Sequence, residues 1–473
     1  MSIKLRTFIP WLAAVLVILF AFEEFVYGRL ALGGLGYLLA KTFSELLLYL
    51  LLGVILLWRM QNGTLYQYRP TLFDFALFVF IVLALVSTRY NGGGIAQGLL
   101  NLRTMLRYVA VYYIIVLSAW NATEWQIQRF LKVILVIALI QVGVCVVQNI
   151  AGDAIIDRYF SAPKSEIAVE GVAIALNAMG QKLGAAIGTF GKTPALALFL
   201  LMAAVVALSY LTLGNAVERR KWFAFYLLLC LGIFLTYKRG PLLLTLFAPL
   251  LVAWIGGRKK LVKRYLSYAG LLLPLLVVLL ILSRPTEFVK EKEVEISPLQ
   301  SVAQLFTEEY WNRTNASARG WVIVEVGSEA ISSFKPIGYG ADEEGAKALL
   351  AKKGGTFSKL VGWGALDDVY VIAALVYYGP VGAGLLLLGF YYIYRQARYL
   401  AKYAAGHYQI IGVAVSALLI LTFFASFLVR TLEFRAFAFC LWVFAGTVVV
   451  LSTNHKQAIR NRCVHETAYP VVV

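Results

Sequence analysis

Long apolar segments recur along this chain of 473 residues and constrain its fold more than any other feature. A helix needs about 20 predominantly apolar residues to cross the hydrocarbon core of a bilayer. Segments of this kind lie near 8–27, 44–58, 71–88, 103–119, 127–149, 193–213, 222–237, 241–256, 265–283, 368–394, 408–429 and 434–452. The sequence therefore predicts an all-α polytopic membrane protein with about twelve transmembrane helices.

The composition supports a membrane environment and excludes several other classes of protein. Apolar residues make up 61% of the chain and charged residues 14%, against roughly 45–50% and a quarter in soluble domains. A water-soluble multidomain enzyme and a disordered chain are therefore excluded, and 4 cysteines are too few for a disulfide scaffold. The net charge is +18, but the basic residues lie mostly in short loops between apolar segments, so we expect no nucleic-acid partner.

Basic residues concentrate in alternate loops, which indicates how the chain is oriented. Cytoplasmic loops of membrane proteins carry an excess of lysine and arginine. If the N-terminus is cytoplasmic, the basic loops fall inside, at 59–69, 219–221, 258–264, 395–402 and 456–462. The first apolar segment resembles a signal peptide but lacks a small-residue cleavage site, so we expect it to be retained. The sequence thus predicts a multi-pass protein with both termini in the cytoplasm.

Two long outer segments divide the predicted spans. Residues 1–283 form an N-terminal bundle of about nine spans, with a smaller outer loop at 150–192. A large outer loop covers 284–367, residues 368–452 hold about three further spans, and 453–473 form a cytoplasmic tail. Loops this long usually fold and carry function. We therefore expect amphipathic helices in the large loop, lying over the membrane face; an unstructured linker is the alternative.

Arginine and lysine also occur on the side where this topology disfavours them. Ionisable groups at membrane depth are costly and by default mark a function, and a guanidinium binds phosphate oxygens two at a time. The sequence therefore predicts an outer cationic pocket for a phosphate-bearing lipid. The alternative is that these groups reach lipid phosphates singly or pair with Glu23, Glu24 or Glu433. The residues are Arg29, Lys41, Arg89, Arg103, Arg107, Lys238, Arg239, Arg319, Arg430 and Arg435.

Two predicted helix starts add backbone donors to this charge. Thr193 suits an N-cap and Pro194 the first turn of a span that is entered from outside beside Lys192. A second span begins in the same way at Arg239, two residues before Pro241. Because helix N-termini present free N–H groups and favour anions, both starts fit a pyrophosphate site.

Four short motifs lie between residues 185 and 385. They are GTFGKTPALA at 188–197, TYKRGPLLLTL at 236–246, Arg319-Gly-Trp321, and PIGYG at 336–340. The second resembles the Ser/Thr-x-x-Arg-Gly helix start of the O-antigen ligase and Wzy-type polysaccharide polymerase superfamily, and the first resembles its Gly-Thr-Phe segment. The last two resemble its large outer loop, in which an arginine and a tryptophan precede a Pro-x-Gly-x-Gly turn.

The resemblance implies a bacterial inner-membrane glycosyltransferase of GT-C-like architecture whose active site faces the periplasm. Donor and acceptor would be glycans on undecaprenyl pyrophosphate, and arginines would stabilise the leaving pyrophosphate without a metal or other cofactor. Membrane lipids, a chain-length regulator and a flippase are the further partners it suggests. The matching arginines are Arg239 and Arg319, and the further substrate-binding candidates are Arg103, Arg107, Lys192, Lys238, Arg430, Arg435, Trp321 and Tyr339.

One departure from the family pattern bears on the reaction. The ligases carry a histidine about eleven residues before a glycine at the span that follows the large loop; here the glycine is Gly379 and the earlier position is Asp368, beside Asp367. This favours a polymerase, with Asp368 or Asp367 as general base or as the group that orients the acceptor. Asp368 is equally suited to cap the next span. Glu325 is an alternative base or a partner for Arg319.

The sequence therefore predicts a polymerase of lipid-linked repeat units for O-antigen or exopolysaccharide. Two alternatives stay open. One is a ligase that transfers the glycan to lipid A core, and the other, from a different class, is a flippase for lipid-linked oligosaccharides. Transporters place polar and broken-helix features near the bilayer midplane, whereas here the charges collect at one interface, which favours chemistry at the membrane surface.

Overall fold

The computed structural model describes residues 2–29, 34–118, 122–151, 185–267, 320, 322–333, 335–353, 366 and 368–468. These residues are helical apart from short connections and contain no strand. The helices are α1 (Ser2–Arg29), α2 (Gly34–Gln61), α3 (Leu72–Tyr90), α4 (Ile95–Leu106), α5 (Val109–Leu117), α6 (Glu124–Ala151), α7 (Thr193–Leu213), α8 (Ala216–Leu235), α9 (Arg239–Ile255), α10 (Gly327–Ser332), α11 (Glu343–Lys353), α12 (Tyr370–Tyr403), α13 (Gly406–Ala425) and α14 (Arg435–Ala468). A π-helical turn, Val322–Val326, precedes α10.

The helices confirm the predicted all-α polytopic architecture. In the described part of the chain, 7 helices are long and apolar enough to cross a membrane, or 8 if the bent pair α4 and α5 forms one span. Helices α1, α8 and α9 also coincide with predicted spans. The predicted span at 265–283 lies outside the described residues except at its first turn. The division of the chain into bundle, large loop and C-terminal spans stays a prediction.

Two helices form the centre of the bundle. In the most apolar 18-residue stretch of each helix, 89% of the residues of α7 and 94% of those of α14 are buried inside the protein. Helix α7 packs against α6, α8, α9 and α13, and α14 packs against α1, α5 and α12. A helix that is apolar on every side has no polar face to present to water, so it occupies an interior position.

Successive helices alternate in direction and define two faces of the bundle. We call the side that carries Ser2 and Ala468 the terminal face, and the opposite side the distal face. Hydrogen bonds on the terminal face join Arg59 Nε to the Leu117 carbonyl at 2.6 Å and Arg398 Nη1 to the Ile255 carbonyl at 2.8 Å. All the predicted cytoplasmic basic loops lie on the terminal face, as the predicted topology requires.

The predicted span at 103–119 is wrong in form, because the chain there is a broken helix. Helix α4 begins earlier, at Ile95, and meets α5 at an angle of 64°. The break falls at Arg107 and Tyr108, so neither a proline nor a glycine marks it in the sequence. Tertiary contacts of Arg107, described below, accompany the bend.

Candidate functional site

On the distal face, three arginines converge on two buried glutamates from the first two helices. Glu45 of α2 lies 2.6 Å from Arg103 (Oε2 to Nη2) and 2.9 Å from Arg107 (Oε1 to Nε). Arg435, the first residue of α14, contacts Glu23 of α1 and lies 3.6 Å from Glu45 (Nη2 to Oε1). Both glutamates are at most 2% exposed. We call these five residues the ionic cluster.

The ionic cluster joins four separate parts of the chain, and its formal charge is three positive minus two negative, or +1. These arginines therefore follow the alternative given in the sequence analysis, in which they pair with carboxylates. Glu23 is one of the partners named there. Glu45 is not, although a carboxylate inside a predicted span is itself a signal for a special role. A buried charge is tolerated only where partners compensate for its lost hydration.

A second ion-pair group holds the turn between α13 and α14. Arg430 Nη1 lies 2.6 Å from Glu433 Oε1, and Arg430 Nη2 lies 3.1 Å from Glu343 Oε2. Glu343 begins α11, in the large loop. The pairing of Arg430 with Glu433 had been considered from the sequence, whereas the contact with Glu343 depends on how the large loop folds back. This turn is therefore tied to the large loop through one guanidinium.

The Gly-Thr-Phe segment is held by two buried glutamines of α6. Gln148 Oε1 accepts hydrogen bonds from the backbone N–H groups of Ile187 and Gly188, and Gln148 Nε2 donates to the Gly188 carbonyl. Gln141 binds both the backbone N–H and the hydroxyl of Thr189, at 3.0 and 2.7 Å. Gly188 has a φ of 58°, and a Cβ there would lie 2.6 Å from Gln141 Oε1. The motif is thus a rigid turn that requires glycine at this position.

This turn connects to the ionic cluster and to the start of α7. The Thr189 hydroxyl donates to the carbonyl of Ala21, two residues before Glu23. Helix α7 begins at Thr193, with Lys192 as its N-cap and no side-chain capping bond. The predicted capping role of Thr193 is therefore wrong by one position, because the helix already includes it. Lys192 is exposed on the distal face.

Helix α9 begins at Arg239, as predicted. Lys238 is its extended N-cap, and Tyr237 has a φ of 54°, a left-handed backbone that turns the chain sharply into the helix. A Cβ at Gly240 would lie 2.5 Å from Leu428 Cδ1. The glycine of the Arg-Gly pair therefore allows α9 to pack closely against the turn that carries the second ion-pair group. Arg239 itself is partly buried on the distal face.

The large loop reaches the same face by filling a break in α12. At Gly379 the backbone leaves the helical conformation (φ 70°, ψ 173°), and Pro380 follows. In a continuous helix the carbonyls of Val376 and Tyr377 would accept from residues 380 and 381. Proline has no N–H, and the Val381 N–H points elsewhere, so these carbonyls need other donors.

The PIGYG segment supplies those donors. The Tyr339 N–H donates to the Val376 carbonyl at 3.1 Å, and the Gly340 N–H donates to the Tyr377 carbonyl at 2.7 Å. In return, the Pro336 carbonyl accepts from Val381 at 3.1 Å. The Pro-x-Gly-x-Gly turn therefore replaces the missing helical hydrogen bonds of α12. Its predicted identity as a turn is correct, while its partner could not be read from the motif.

Helix α3 clamps the other side of this turn. The buried Ser87 hydroxyl donates to the Gly338 carbonyl at 2.9 Å, and the Ala341 N–H donates to the buried Thr88 hydroxyl at 2.7 Å. Gly338 has a φ of 66°, and a Cβ there would lie 2.4 Å from the Gly379 nitrogen. Two glycines thus meet back to back where no side chain fits.

Asp342 follows this turn and caps two helices at once. Its Oδ1 accepts from the Gly345 N–H in the first turn of α11, at 3.1 Å. Its Oδ2 accepts from the Gly94 N–H at the start of α4, at 2.8 Å. Because the next residue is Glu343, the same carboxylate fixes the helix that pairs with Arg430. Sequence reasoning did not single out Asp342, although an aspartate directly before a helix is a recognisable capping signal.

The structure places Asp368 just before α12 but does not make it the cap. The N-cap is Val369, which makes no side-chain capping bond, so the predicted capping role of Asp368 is wrong. Asp368 is partly buried, and the Val371 N–H donates to the Ser426 carbonyl at 3.2 Å. This bond sets the start of α12 beside the end of α13 on the distal face.

Of the remaining predicted site residues, three lie outside the described part of the chain and Tyr339 lies inside it. Arg319, Trp321 and Asp367 lie outside the described residues. Tyr339 is 9% exposed, with Lys335 Nζ at 3.8 Å from its ring centroid, and its backbone N–H binds α12. Among the residues described, no group of three or more His, Cys, Asp or Glu could hold a metal ion.

The parts of the distal face form a continuous arrangement. The Ala186 N–H donates to the Leu235 carbonyl at 2.9 Å, which joins the Gly-Thr-Phe turn to the segment that leads into Arg239. The same turn contacts α1 next to the ionic cluster, and α9 contacts the Arg430 turn. The predicted basic residues at helix starts and in the turn before α14 therefore lie on the distal face: Lys192, Lys238, Arg239, Arg430 and Arg435.

Comparison with protein-family models places one region of the chain. Residues 223–387 match the model of the family Wzy_C, described as O-antigen ligase. The match contains Arg239, the PIGYG turn, Asp368 and the break at Gly379, while the ionic cluster lies outside it. No curated protein sequence matches the chain. Over these residues the chain is therefore similar to the O-antigen ligase family, whose members are glycosyltransferase-like membrane enzymes, and this bears out the resemblance to the O-antigen ligase and Wzy-type superfamily.

Proposed function

We propose that this protein polymerises undecaprenyl-pyrophosphate-linked repeat units into O-antigen or exopolysaccharide at the periplasmic side of a bacterial inner membrane. One observation carries the proposal: the Arg239 helix start, the Gly-Thr-Phe turn and the start of α12 with Asp368 lie on one face of the bundle, opposite the face that carries Ser2 and Ala468. That face is periplasmic if the basic loops of the terminal face are cytoplasmic, as positively charged loops usually are.

Arg239 is the residue we assign to the donor pyrophosphate. It stands at the first position of α9, where the backbone N–H groups and the helix dipole favour an anion. A guanidinium can bind two phosphate oxygens and keeps its charge at any physiological pH. Arg319, in the same family-matched region, is the predicted second clamp. The arginines of the ionic cluster are better explained as supports, because each contacts a buried glutamate.

The reaction would be a substitution at the anomeric carbon of the donor sugar. A hydroxyl oxygen of the acceptor glycan forms the new bond to that carbon, while the bond to the pyrophosphate oxygen breaks and the pyrophosphate keeps the electron pair. Asp368 would take the hydroxyl proton, and Arg239 would stabilise the charge on the leaving group. Metal independence stays an expectation from the family resemblance.

A ligase is the second candidate, and the family description favours it directly. The histidine expected of ligases is replaced by Asp368, eleven residues before Gly379, and the three histidines, His407, His455 and His465, lie at the terminal-face ends of their helices. The two reactions differ only in the acceptor. Purified protein should therefore be given lipid-linked repeats alone, and in parallel the repeats with lipid A core.

A polymerase lengthens the repeats without lipid A core, and it does so in detergent, where a flippase has no second compartment to serve. Glycan transfer only to lipid A core would establish the ligase instead. Products are resolved as a ladder on a gel, with each step equal to one repeat unit.

Replacing Arg239 tests its assignment. Arg239→Ala should reduce turnover about 100-fold or more, because one donor to developing charge contributes about 10²–10³ in rate. Arg239→Lys should recover part of this rate, since it keeps the charge but loses the two-pronged geometry. The matched control is Arg219→Ala, an exposed arginine of the terminal face. Full-length polymer from folded Arg239→Ala protein would contradict the assignment.

Replacing Asp368 tests the general base. Asp368→Asn keeps the shape but accepts no proton, so turnover should fall about 100-fold while donor binding is retained. Single-turnover rates and lipid-binding titrations separate the two quantities. Equal losses of binding and rate would make Asp368 a positioning residue.

A further inference from the structure

A dense group of cations lies at the terminal-face end of α9. Residues 258–264 read RKKLVKR, and all five basic side chains in this run are exposed. Arg398 of α12 joins them, because its Nη1 donates to the Ile255 carbonyl at 2.8 Å and its Cζ lies 5.7 Å from the Trp254 ring centroid. We call Arg398 and the basic residues of 258–264 the basic corner.

The basic corner is not balanced by acids along the helices that form it. The sequence contains no Asp or Glu between 219 and 286, or between 369 and 432. Three acids of the terminal face whose side chains are described have other contacts. Asp74 accepts from the Tyr68 and Tyr113 hydroxyls at 2.6 and 2.8 Å, Glu124 Oε2 lies 3.5 Å from His407 Nδ1, and Glu218 Oε2 accepts from Trp222 Nε1 at 3.4 Å. An uncompensated set of cations beside a membrane attracts anionic headgroups.

An apolar groove ends at the same place. Helices α9 and α13 and the segments that follow them line an open groove of about 720 Å³ among the described residues, and every residue that lines it is apolar. It extends from Gly240 at the distal end to Trp254 and Leu266 beside the basic corner, with Phe424 on the opposite wall. Its volume lies within the range of about 300–1,000 Å³ that is usual for ligand pockets.

We propose that the basic corner and this groove form a binding site for an anionic phospholipid of the terminal-face leaflet. The phosphodiester would lie against Arg258 and its neighbours, and one acyl chain would enter the groove past Trp254, whose exposed ring suits the headgroup boundary. Apolar lining matches the chain, and uncompensated cations match the phosphate. This site is independent of the pyrophosphate assignment, because it lies at the opposite end of α9 from Arg239.

Two simpler explanations make different predictions. The cations could serve only to orient the chain in the membrane, in which case other basic loops of the terminal face would bind lipid equally well. Arg398 could serve only to cap the C-terminal carbonyls of α9, in which case removing the 258–264 charges would change nothing. Residues 219–221, with sequence RRK and exposed side chains at the start of α8, provide the comparison.

The charge test uses the full-length protein in detergent and native mass spectrometry. It is titrated with palmitoyl-oleoyl phosphatidylglycerol, and with phosphatidylethanolamine of the same chains as the neutral probe. The triple variant R258Q/K259Q/K260Q should weaken phosphatidylglycerol binding about tenfold or more, whereas R219Q/R220Q/K221Q should weaken it by less than about threefold. Equal losses in the two variants, or equal binding of the two lipids to the unmodified protein, would overturn the proposal.

The groove test changes bulk without changing charge. Leu250 lines the cavity, whereas Leu246, one turn earlier, is 57% exposed and does not. Leu250→Trp should fill the groove and weaken phosphatidylglycerol binding about tenfold or more, since it removes apolar contact with the chain. Leu246→Trp, which adds the same bulk outside, should bind like the unmodified protein. Unchanged binding by folded Leu250→Trp protein would remove the groove from the site and overturn the proposal as stated.

Discussion

Arginines on the two faces of the bundle make different kinds of contact. On the distal face, Arg103, Arg107, Arg430 and Arg435 contact carboxylates from distant parts of the chain. On the terminal face, Arg59 and Arg398 bind backbone carbonyls, and Arg129 lies 3.5 Å from the Trp125 ring centroid. These terminal-face arginines therefore contact backbone and ring groups, while these distal-face arginines join separate parts of the chain through carboxylates. Removing the partners of these ion-paired arginines should accordingly destabilise the fold.

Among the variants that test this difference between the faces, the largest loss of unfolding free energy should follow removal of the carboxylate at the centre of the ionic cluster. Glu45→Ala leaves Arg103 and Arg107 without that buried partner, and breaking a buried pair costs roughly 3–5 kcal/mol. Glu344→Ala is the control, because its carboxylate is 75% exposed and its ion pair with Lys347 is worth about 0–1 kcal/mol.

Reversible unfolding in mixed micelles measures both free energies. Similar losses for Glu45→Ala and Glu344→Ala would show that burial of the ionic cluster contributes little, and the contrast between the faces would then fail.

A somewhat smaller effect is expected where the large loop enters the bundle. Gly338→Ala forces alanine into a left-handed backbone, at about 1–2 kcal/mol, and drives its Cβ to 2.4 Å from the Gly379 nitrogen. We expect a loss of roughly 2–4 kcal/mol in unfolding free energy. Gly63→Ala on the terminal face is matched in backbone, with a φ of 62°, but has nothing within 4 Å of its Cβ.

The difference between these two alanine variants isolates the packing of the PIGYG turn against α12. If both lose the same free energy in the same unfolding assay, only backbone strain matters and the turn is not tightly inserted.

The smallest of these effects should come from the shared cap. Asp342→Ala removes hydrogen bonds to α4 and α11, and loss of a capping side chain costs about 0.5–2 kcal/mol. Asp342→Asn keeps one acceptor oxygen, so it should recover about half of the loss. Hydrogen exchange at Gly94 and Gly345 reports the effect at each helix start; protection that is lost at only one of them would mean that the carboxylate caps a single helix.

The candidate site was only partly predictable from the sequence. Arg239 at a helix start followed from Arg-Gly-Pro, and the turn at PIGYG followed from its glycines, because these signals are local. The partner of Arg103 and Arg107 did not, since Glu45 is 58 residues away from Arg103. The capping role assigned to Asp368 failed because Val369 takes that position.

The sequence alone determined that this is a polytopic helical membrane protein, because span length and apolar content depend only on bilayer thickness and local composition. It also determined which loops are basic and therefore share one face. Only the tertiary structure decided that α4 and α5 bend beside Glu45, that α12 breaks where PIGYG enters, and that α9 and α13 leave an apolar groove. Each of these depends on contacts between residues far apart in the chain, whose free energy of packing no local pattern contains.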